Sequence, residues 1–237
     1  MTYFPVYAEP VPNVGGTPSP VDSPSTAMLA EKARKHKMWI IGGSVPERDG
    51  QHLYNTCLVF NDKGQIVGKH RKIHLFDINV PGKITFKESD SLSPGVSPTL
   101  IDSPWGKIGV GICYDIRFPE YAMMLRQEGA RFLVYPGAFN MVTGPAHWEL
   151  LQRARAVDNQ LYCLTCSPAR DESNSGGYVA WGHSSVISPW GEVLATTDQK
   201  ASVVKASLDL SKIDEMRDSI PCWKQKRGDL YSLQYKL

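Results

Sequence analysis

Apolar positions along the chain switch between helical and strand periods, and the switches mark an alternating α/β order. The first two dozen residues show neither period. Pro5, Pro10, Pro12, Pro18, Pro20 and Pro24 interrupt them, with Gly15-Gly16 and several serines between, so the stretch reads as loop. Ser25 or Thr26 is placed to cap a helix from Ala27 to about His36, with Met28, Leu29 and Ala33 on its apolar side. Met38 to Ile41 reads as a strand and Leu53 to Phe60 alternates as a second. Asn61-Asp62-Lys63-Gly64 turns, and Gln65 to Lys69 pairs back as a hairpin. Arg71 to Gly95 is long and irregular, the kind of segment that is functional when it sits inside a compact domain.

Strands follow at Thr99 to Asp102 and Lys107 to Ile112. Pro119 suits the first position of a helix through Glu128, closed by Gly129. Arg131 to Tyr135 is another strand, and Pro145 opens a helix to Asn159 whose Leu150, Leu151, Ala154 and Val157 share a face. The last third is richer in strands: His183 to Ile187 and Glu192 to Ala195, joined by Ser188-Pro189-Trp190-Gly191, then Ser202 to Leu208. Leu210 to Arg217 is a short helix. The tail from Cys222 to Leu237 mixes aromatic and basic residues without a period, and a solvated tail is expected over one docked on a partner.

Composition narrows the function classes. With 237 residues, 42% of them hydrophobic and 21% charged, the chain can bury a real core in one domain. The formal charge of +2 is nearly balanced and the one basic cluster, Lys69-His70-Arg71-Lys72, is short, which argues against a nucleic-acid partner. No long apolar span or charged-then-apolar leader is present, so no membrane role is expected. Five scattered cysteines do not form a disulfide framework and suit a reducing, intracellular setting. Cys163 and Cys166 have the spacing of a redox or zinc pair, but they lie on a strand, where residues three apart point to opposite faces. No metal is expected there.

Cys113 stands out. The run Val110-Gly111-Ile112-Cys113-Tyr114-Asp115 is an apolar strand that stops at a thiol and turns polar within two residues. Strand ends are where binding and catalytic groups collect in α/β sheets. Upstream, the loop carries Lys72 in Arg71-Lys72-Ile73-His74-Leu75-Phe76-Asp77, and then Glu88.

Lysine, glutamate and cysteine in this order resemble the nitrilase (carbon-nitrogen hydrolase) superfamily. Gly111 to Glu120 looks like its nucleophile motif. Tyr135-Pro136, Gly144-Pro145-Ala146-His147-Trp148 and Ser188-Pro189-Trp190-Gly191 resemble further landmarks, so the likeness runs over nearly the whole chain. True nitrilases carry Trp-Glu after the nucleophile where this chain has Tyr114-Asp115. The string from Arg71 to Phe86 looks most like the omega-amidase branch, which deamidates 2-oxoglutaramate and 2-oxosuccinamate. The deaminated glutathione amidase branch shares the nucleophile motif and ranks second.

The resemblance implies an α/β fold, an α-β-β-α four-layer sandwich of nitrilase type, in a cofactor-free, metal-free homodimer acting on a small-molecule amide. It implies a cytoplasmic enzyme, also mitochondrial, with a hydrolase domain over residues 1–215 and a tail over 216–237. Cys113 is the nucleophile; a neighbouring ammonium such as Lys72 favours its thiolate, since a free thiol titrates near about 8.5. Lys72 and the backbone N–H of Tyr114 then stabilise the oxyanion. Glu88 matches the family's second glutamate, which orients the site. Arg117 and Thr143 resemble positions that hold the substrate's distal carboxylate, for which an arginine fork is suited. His147 is not the family's base, and a packed histidine is expected there. The general acid–base glutamate belongs to a Pro-Glu motif upstream of a Tyr-Phe-Pro segment resembling Tyr3-Phe4-Pro5. Neither Pro46-Glu47 nor Pro119-Glu120 is a substitute. The expectation is therefore a fold lacking its first strand, first helix and second strand, with a noncatalytic homologue in a binding role as the competing reading. Asn13 to Asp22 is longer than the family's corresponding loop.

Overall fold

The structure, a computed structural model, describes residues 4–171 and 177–234, so Tyr3 lies outside the described residues. Backbone contacts divide the chain into two units, Met1–Ile101 with Val110–Asp115 and Asp102–Gly109 with Ile116–Leu237.

In the first unit, helix α1 (Pro24–His36) begins earlier than the capping residues suggest. Pro24 takes the first helical position, where a missing N–H costs nothing, and Ser23 at the N-cap makes no side-chain cap bond. The cap is Glu9. Its buried carboxylate accepts the backbone N–H of Ser25 (3.0 Å) and of Thr26 (2.9 Å) and the Thr26 hydroxyl (2.7 Å). A negative charge is favoured at this end of a helix. The backbone of Glu9 donates to Pro46 O (3.0 Å) and accepts from Arg48 N–H (2.8 Å), forming a parallel bridge to Glu47. The proline-broken opening is thus pinned to the sheet.

Strands β1 (Ile40–Asp49), β2 (His52–Phe60) and β3 (Ile66–Arg71) form an antiparallel sheet in that order. β1 starts two residues later than expected and runs on to Asp49. Val11, Ala33, Leu58, Phe60 and Ile66 make a core under α1. The β2–β3 turn works because Asn61 Oδ1 accepts the N–H of Lys63 and Gln65, both at 3.0 Å, and Gly64 sits at φ +74°. A Cβ on Gly64 would stand 2.3 Å from Ala30 O.

The segment after β3 is less irregular than its sequence reads. β4 (Asp77–Val80) and β5 (Ile84–Lys87) pair as a hairpin, followed by one 3-10 turn over Glu88–Asp90. Each strand has four residues alternating between half-buried and exposed, too short a run for periodicity to register.

A six-stranded sheet has the order β11-β10-β9-β8-β7-β6, with β6 at Thr99–Ser103, β7 at Gly106–Val110, β8 at Ala130–Pro136, β9 at Tyr162–Cys166, β10 at Ser185–Ile187 and β11 at Val193–Thr196. β8 and β9 are parallel, Phe132 opposite Tyr162, and helix α3 (Gly144–Asn159) connects them. Helix α2 (Pro119–Gln127) precedes β8, with Pro119 at its start and Gly129 at φ +98° just past its end.

Three expectations in the second unit are corrected. The buried face of α3 is Trp148, Gln152, Arg155, Ala156 and Asn159, whereas Leu150 and Val157 are 64% and 41% exposed. Hydrogen bonds offset part of the cost of burying polar groups on that face: Gln152 Oε1 accepts the Thr165 hydroxyl at 2.8 Å, and Arg155 Nε donates to Ile116 O at 2.8 Å. Ser202 to Leu208 forms no strand; it is largely exposed, with Val203 at 81%. The tail does not simply trail into solvent. After helix α4 (Ser211–Ser219), Trp223 Nε1 donates to Asp158 O (3.2 Å), and Arg217 and Arg126 donate to Gln160 O and Asn159 O, so cations and an indole close the C-terminus of α3.

Cys163 and Cys166 stand on β9 as the strand period predicts, the first fully buried and the second exposed. Burial pushes the Cys163 thiol up to about 12, which leaves it inert. Among the described residues no group of His, Cys, Asp and Glu could hold a metal ion, and no helix is long and apolar enough to cross a membrane.

Candidate active site

Cys113 follows β7 and the buried Ile112, and opens a 3-10 turn over Cys113–Arg117. Its φ is +48°, a left-handed conformation that costs a non-glycine residue about 1–3 kcal/mol and persists only where its surroundings enforce it. Here Asp115 enforces it. Asp115 N–H donates to Ile112 O (3.0 Å), while the Asp115 side chain accepts the N–H of Ile112 (2.8 Å). The thiol is half-buried.

Lys72 follows directly on β3, whose alternation puts Ile66, Gly68 and His70 on the buried side and Val67, Lys69 and Arg71 on the other. Continued by one step, the alternation buries Lys72, which is 1% exposed. The basic run therefore divides. Lys69 and Arg71 turn to Glu47, at 2.6 Å each, and Arg71 reaches Asp49 at 2.7 Å. Lys72 Nζ meets Glu88 Oε2 at 2.5 Å, and the same oxygen accepts Phe76 N–H at 2.6 Å. Glu88 is 3% exposed, and its other oxygen, Oε1, is buried with no hydrogen-bond partner.

The cysteine turn and the lysine segment are linked by Asp115, which is fully buried. Besides Ile112 N–H, its carboxylate accepts His70 Nε2 (3.2 Å), His74 Nδ1 (2.8 Å) and His74 backbone N–H (2.9 Å). Burial alone would push this carboxyl up; the bonds from His70 and His74 outweigh it and hold it well below the usual carboxylate range. Tyr114 adds an edge-to-face contact with Phe76, ring centroids 5.2 Å apart. Cys113, Tyr114, Lys72 and Glu88 thus belong to one connected cluster in the first unit.

Arg117, Thr143 and His147 stand in the second unit. Arg117 donates to His147 Nδ1 (3.1 Å), and its guanidinium lies 4.8 Å from the Phe139 ring centre. His147 is exposed, not packed. Thr143 occupies the N-cap of α3, its hydroxyl donating to Asn140 Oδ1 at 3.2 Å. Of the two Pro-Glu pairs, Glu120 is exposed. Glu47 is buried; burial pushes its carboxyl up, but bonds from Arg71, Lys69 and Thr56 hold it below its usual value and occupy both oxygens.

Sequence reasoning passed over Asp115 and His70. The signal available for His70 was the strand period itself, which places it on the face of Lys72. For Asp115 nothing short of the fold reveals four donors converging on one carboxylate.

Comparison with known proteins agrees with the motifs. The carbon-nitrogen hydrolase family model matches residues 2–218. The chloroplastic omega-amidase of Arabidopsis thaliana is 58% identical over 230 residues, covering 97% of this chain and 60% of that protein. Omega-amidase NIT2 of Bos taurus is 56% identical over 234 residues, 99% of this chain and 80% of that protein. The chain therefore spans somewhat under two thirds of the plant relative's length. Among solved structures, Saccharomyces cerevisiae Nit3, described as a member of branch 10 of the nitrilase superfamily, superposes with a TM-score of 0.83 at 43% identity, covering 95% of this chain and 78% of that one. A chain that matches the family model along this length, and the curated and solved relatives above at this identity, belongs to the carbon-nitrogen hydrolase family, in the omega-amidase branch of the nitrilase superfamily.

Proposed function

We propose that the chain carries the nucleophile and oxyanion machinery of an omega-amidase, hydrolysing 2-oxoglutaramate and 2-oxosuccinamate to the 2-oxo dicarboxylic acid and ammonia. What supports this most is the buried Lys72–Glu88 pair, joined through His70, His74 and Asp115 to the turn that presents Cys113. In this reading the Cys113 thiolate adds to the amide carbonyl, and negative charge moves to oxygen beside the Lys72 ammonium and the Tyr114 N–H. The C–N bond breaks, nitrogen leaves as ammonia with one added proton, and a thioester remains. Water attacks the thioester carbonyl, the C–S bond breaks, and acid and thiol are released. Glu88 fixes Lys72 and leaves Oε1 as an acceptor inside the site.

The proton carrier for ammonia and water is assigned to none of the described Pro-Glu residues. Glu47 is saturated by its partners and Glu120 faces solvent. That observation favours, as a second reading, a noncatalytic role for the chain as it stands. The distal carboxylate of a 2-oxo acid amide calls for a cation, and Arg117 with Thr143 is our assignment. The exposed apolar positions Leu150, Val157 and Trp190 would be covered by a second copy in a homodimer. We place the protein in the cytoplasm, and also in mitochondria.

Ammonia release from 2-oxoglutaramate and from deaminated glutathione tests the substrate class. The first should be preferred, and Arg117→Ala should raise KM chiefly for amides bearing a distal carboxylate. Preference for deaminated glutathione, or equal losses on uncharged amides, would overturn the assignment.

A further inference from the structure

We propose that Asp115 is a positioning residue for the amidase reaction, fixing the Cys113 turn against the Lys72 segment through a four-donor carboxylate. The inference rests on the amidase reading and concerns a residue that reading does not use. A carboxylate has about four acceptor sites, and here all four are taken. Oδ2 receives Ile112 N–H (2.8 Å) and His70 Nε2 (3.2 Å); Oδ1 receives His74 N–H (2.9 Å) and His74 Nδ1 (2.8 Å).

Two of these donors are main-chain groups at chosen places. Ile112 immediately precedes the nucleophile, and His74 lies two residues beyond the lysine. His70 lies two residues before it, so Lys72 is bracketed by side chains that both converge on Asp115. Because the ionised carboxylate only accepts, both imidazole nitrogens facing it carry hydrogen. His70 is held from its other side as well, Nδ1 lying 3.0 Å from Thr99 Oγ1. The left-handed backbone of Cys113 is the conformation such a clamp must enforce.

Asparagine cannot reproduce this arrangement. Its single oxygen can serve one pair of donors, and its NH2 would then confront the other pair, N–H against N–H. Electrostatics and positioning predict opposite signs for Asp115→Asn. Removal of a nearby negative charge would by itself favour the Cys113 thiolate and speed its alkylation. Loss of the clamp lets the turn relax and slows it.

The experiment is iodoacetamide labelling of the full chain, read for each cysteine by peptide mass spectrometry, together with amide hydrolysis kinetics. Exposed Cys166 and Cys222 are internal references, and buried Cys57 and Cys163 report loss of fold. With Cys57 and Cys163 still protected, Cys113 in Asp115→Asn should label about tenfold more slowly relative to the references. Turnover should fall about a hundredfold with little change in KM, as expected for misplaced reacting groups. An unchanged or faster Cys113 overturns the proposal. If Asp115→Asn exposes Cys57 and Cys163, His74→Ala decides. It removes one side-chain donor and keeps the main-chain bond, so Cys113 should slow about threefold; no slowing overturns the proposal. Wild-type Cys113 labelling no faster than Cys166 and Cys222 would count against the amidase reading itself, and so is told apart from failure of the clamp.

Discussion

Glu88 can be removed in two ways that the structure distinguishes sharply. Its Oε2 takes both Lys72 Nζ at 2.5 Å and Phe76 N–H at 2.6 Å, in surroundings where Lys72 and Glu88 are 1% and 3% exposed. Glu88→Ala strands a buried ammonium and a buried amide. Breaking a buried ion pair costs about 3–5 kcal/mol, and the amide adds about 1–3 kcal/mol. Both donors meet the same oxygen, so the two losses overlap and the total should be about 4 kcal/mol. At about 2–4 °C per kcal/mol for a chain of this size, Tm falls by roughly 8–16 °C. Glu88→Gln can keep both bonds by placing its carbonyl oxygen where Oε2 was, with the NH2 where Oε1 had no partner. Only charge assistance is lost, about 1–2 kcal/mol, or roughly 2–8 °C. Thermal and urea unfolding of both variants, with Lys72→Met and the double variant Lys72→Met/Glu88→Ala, measures these terms. The double variant should be less destabilised than the sum of the singles by at least about 2 kcal/mol. Strict additivity, or Glu88→Ala within about 1 kcal/mol of the parent, would refute the claim that these groups form one buried pair.

Glu9→Ala deletes the carboxylate that caps α1 and should cost about 2 kcal/mol, seen as a Tm lower by roughly 4–8 °C. Acid titration should show a threshold. The folded-state carboxyls of Asp115 and Glu47 are held below their ordinary values, so their stabilisation is fully present above the unfolded values of about 4 and is lost as pH falls through the folded ones. Urea midpoints should hold level from about pH 7 to 5 and drop below about pH 4, less steeply in Asp115→Asn. Gly95→Ala should be damaging despite its small size. The new Cβ would stand 2.2 Å from Arg71 O, and Gly95 N–H holds Lys72 O at 2.8 Å. Calorimetry should give a loss of about 1–3 kcal/mol, with reduced turnover because the shift falls on the lysine's own backbone.

The parts of this fold written in local sequence are those with local causes. Pro119 and Gly129 bracket α2, and Asn61 and Gly64 make the β2–β3 turn, whereas β7 stops at Val110, two residues short of the Ile112 that the apolar run suggests. Lys72 and Glu88 were singled out on the resemblance, and the burial of Lys72 follows from extending the β3 alternation three residues past the expected Lys69. What local pattern misreads is decided by partners distant in sequence. Glu9 caps a helix 17 positions away from Thr26, and Asp115 collects His70 from 45 positions upstream. The buried face of α3 went to Gln152 and Arg155, where Thr165 donates to Gln152 Oε1 and Ile116 O accepts from Arg155 Nε, leaving Leu150 and Val157 outside. Ser202 to Leu208 has strand-like residues and remains largely exposed.

The central claim is that Cys113 attacks the amide and is acylated. Acid quenching of the chain with 2-oxoglutaramate, followed by peptide mass spectrometry, measures this directly. The account predicts an acyl group, with ammonia lost, on the Cys113 peptide alone, sensitive to hydroxylamine, missing in Cys113→Ala and diminished in Lys72→Met. Ammonia release without a Cys113 adduct, or an adduct carried by Cys166 or Cys222 instead, would contradict it.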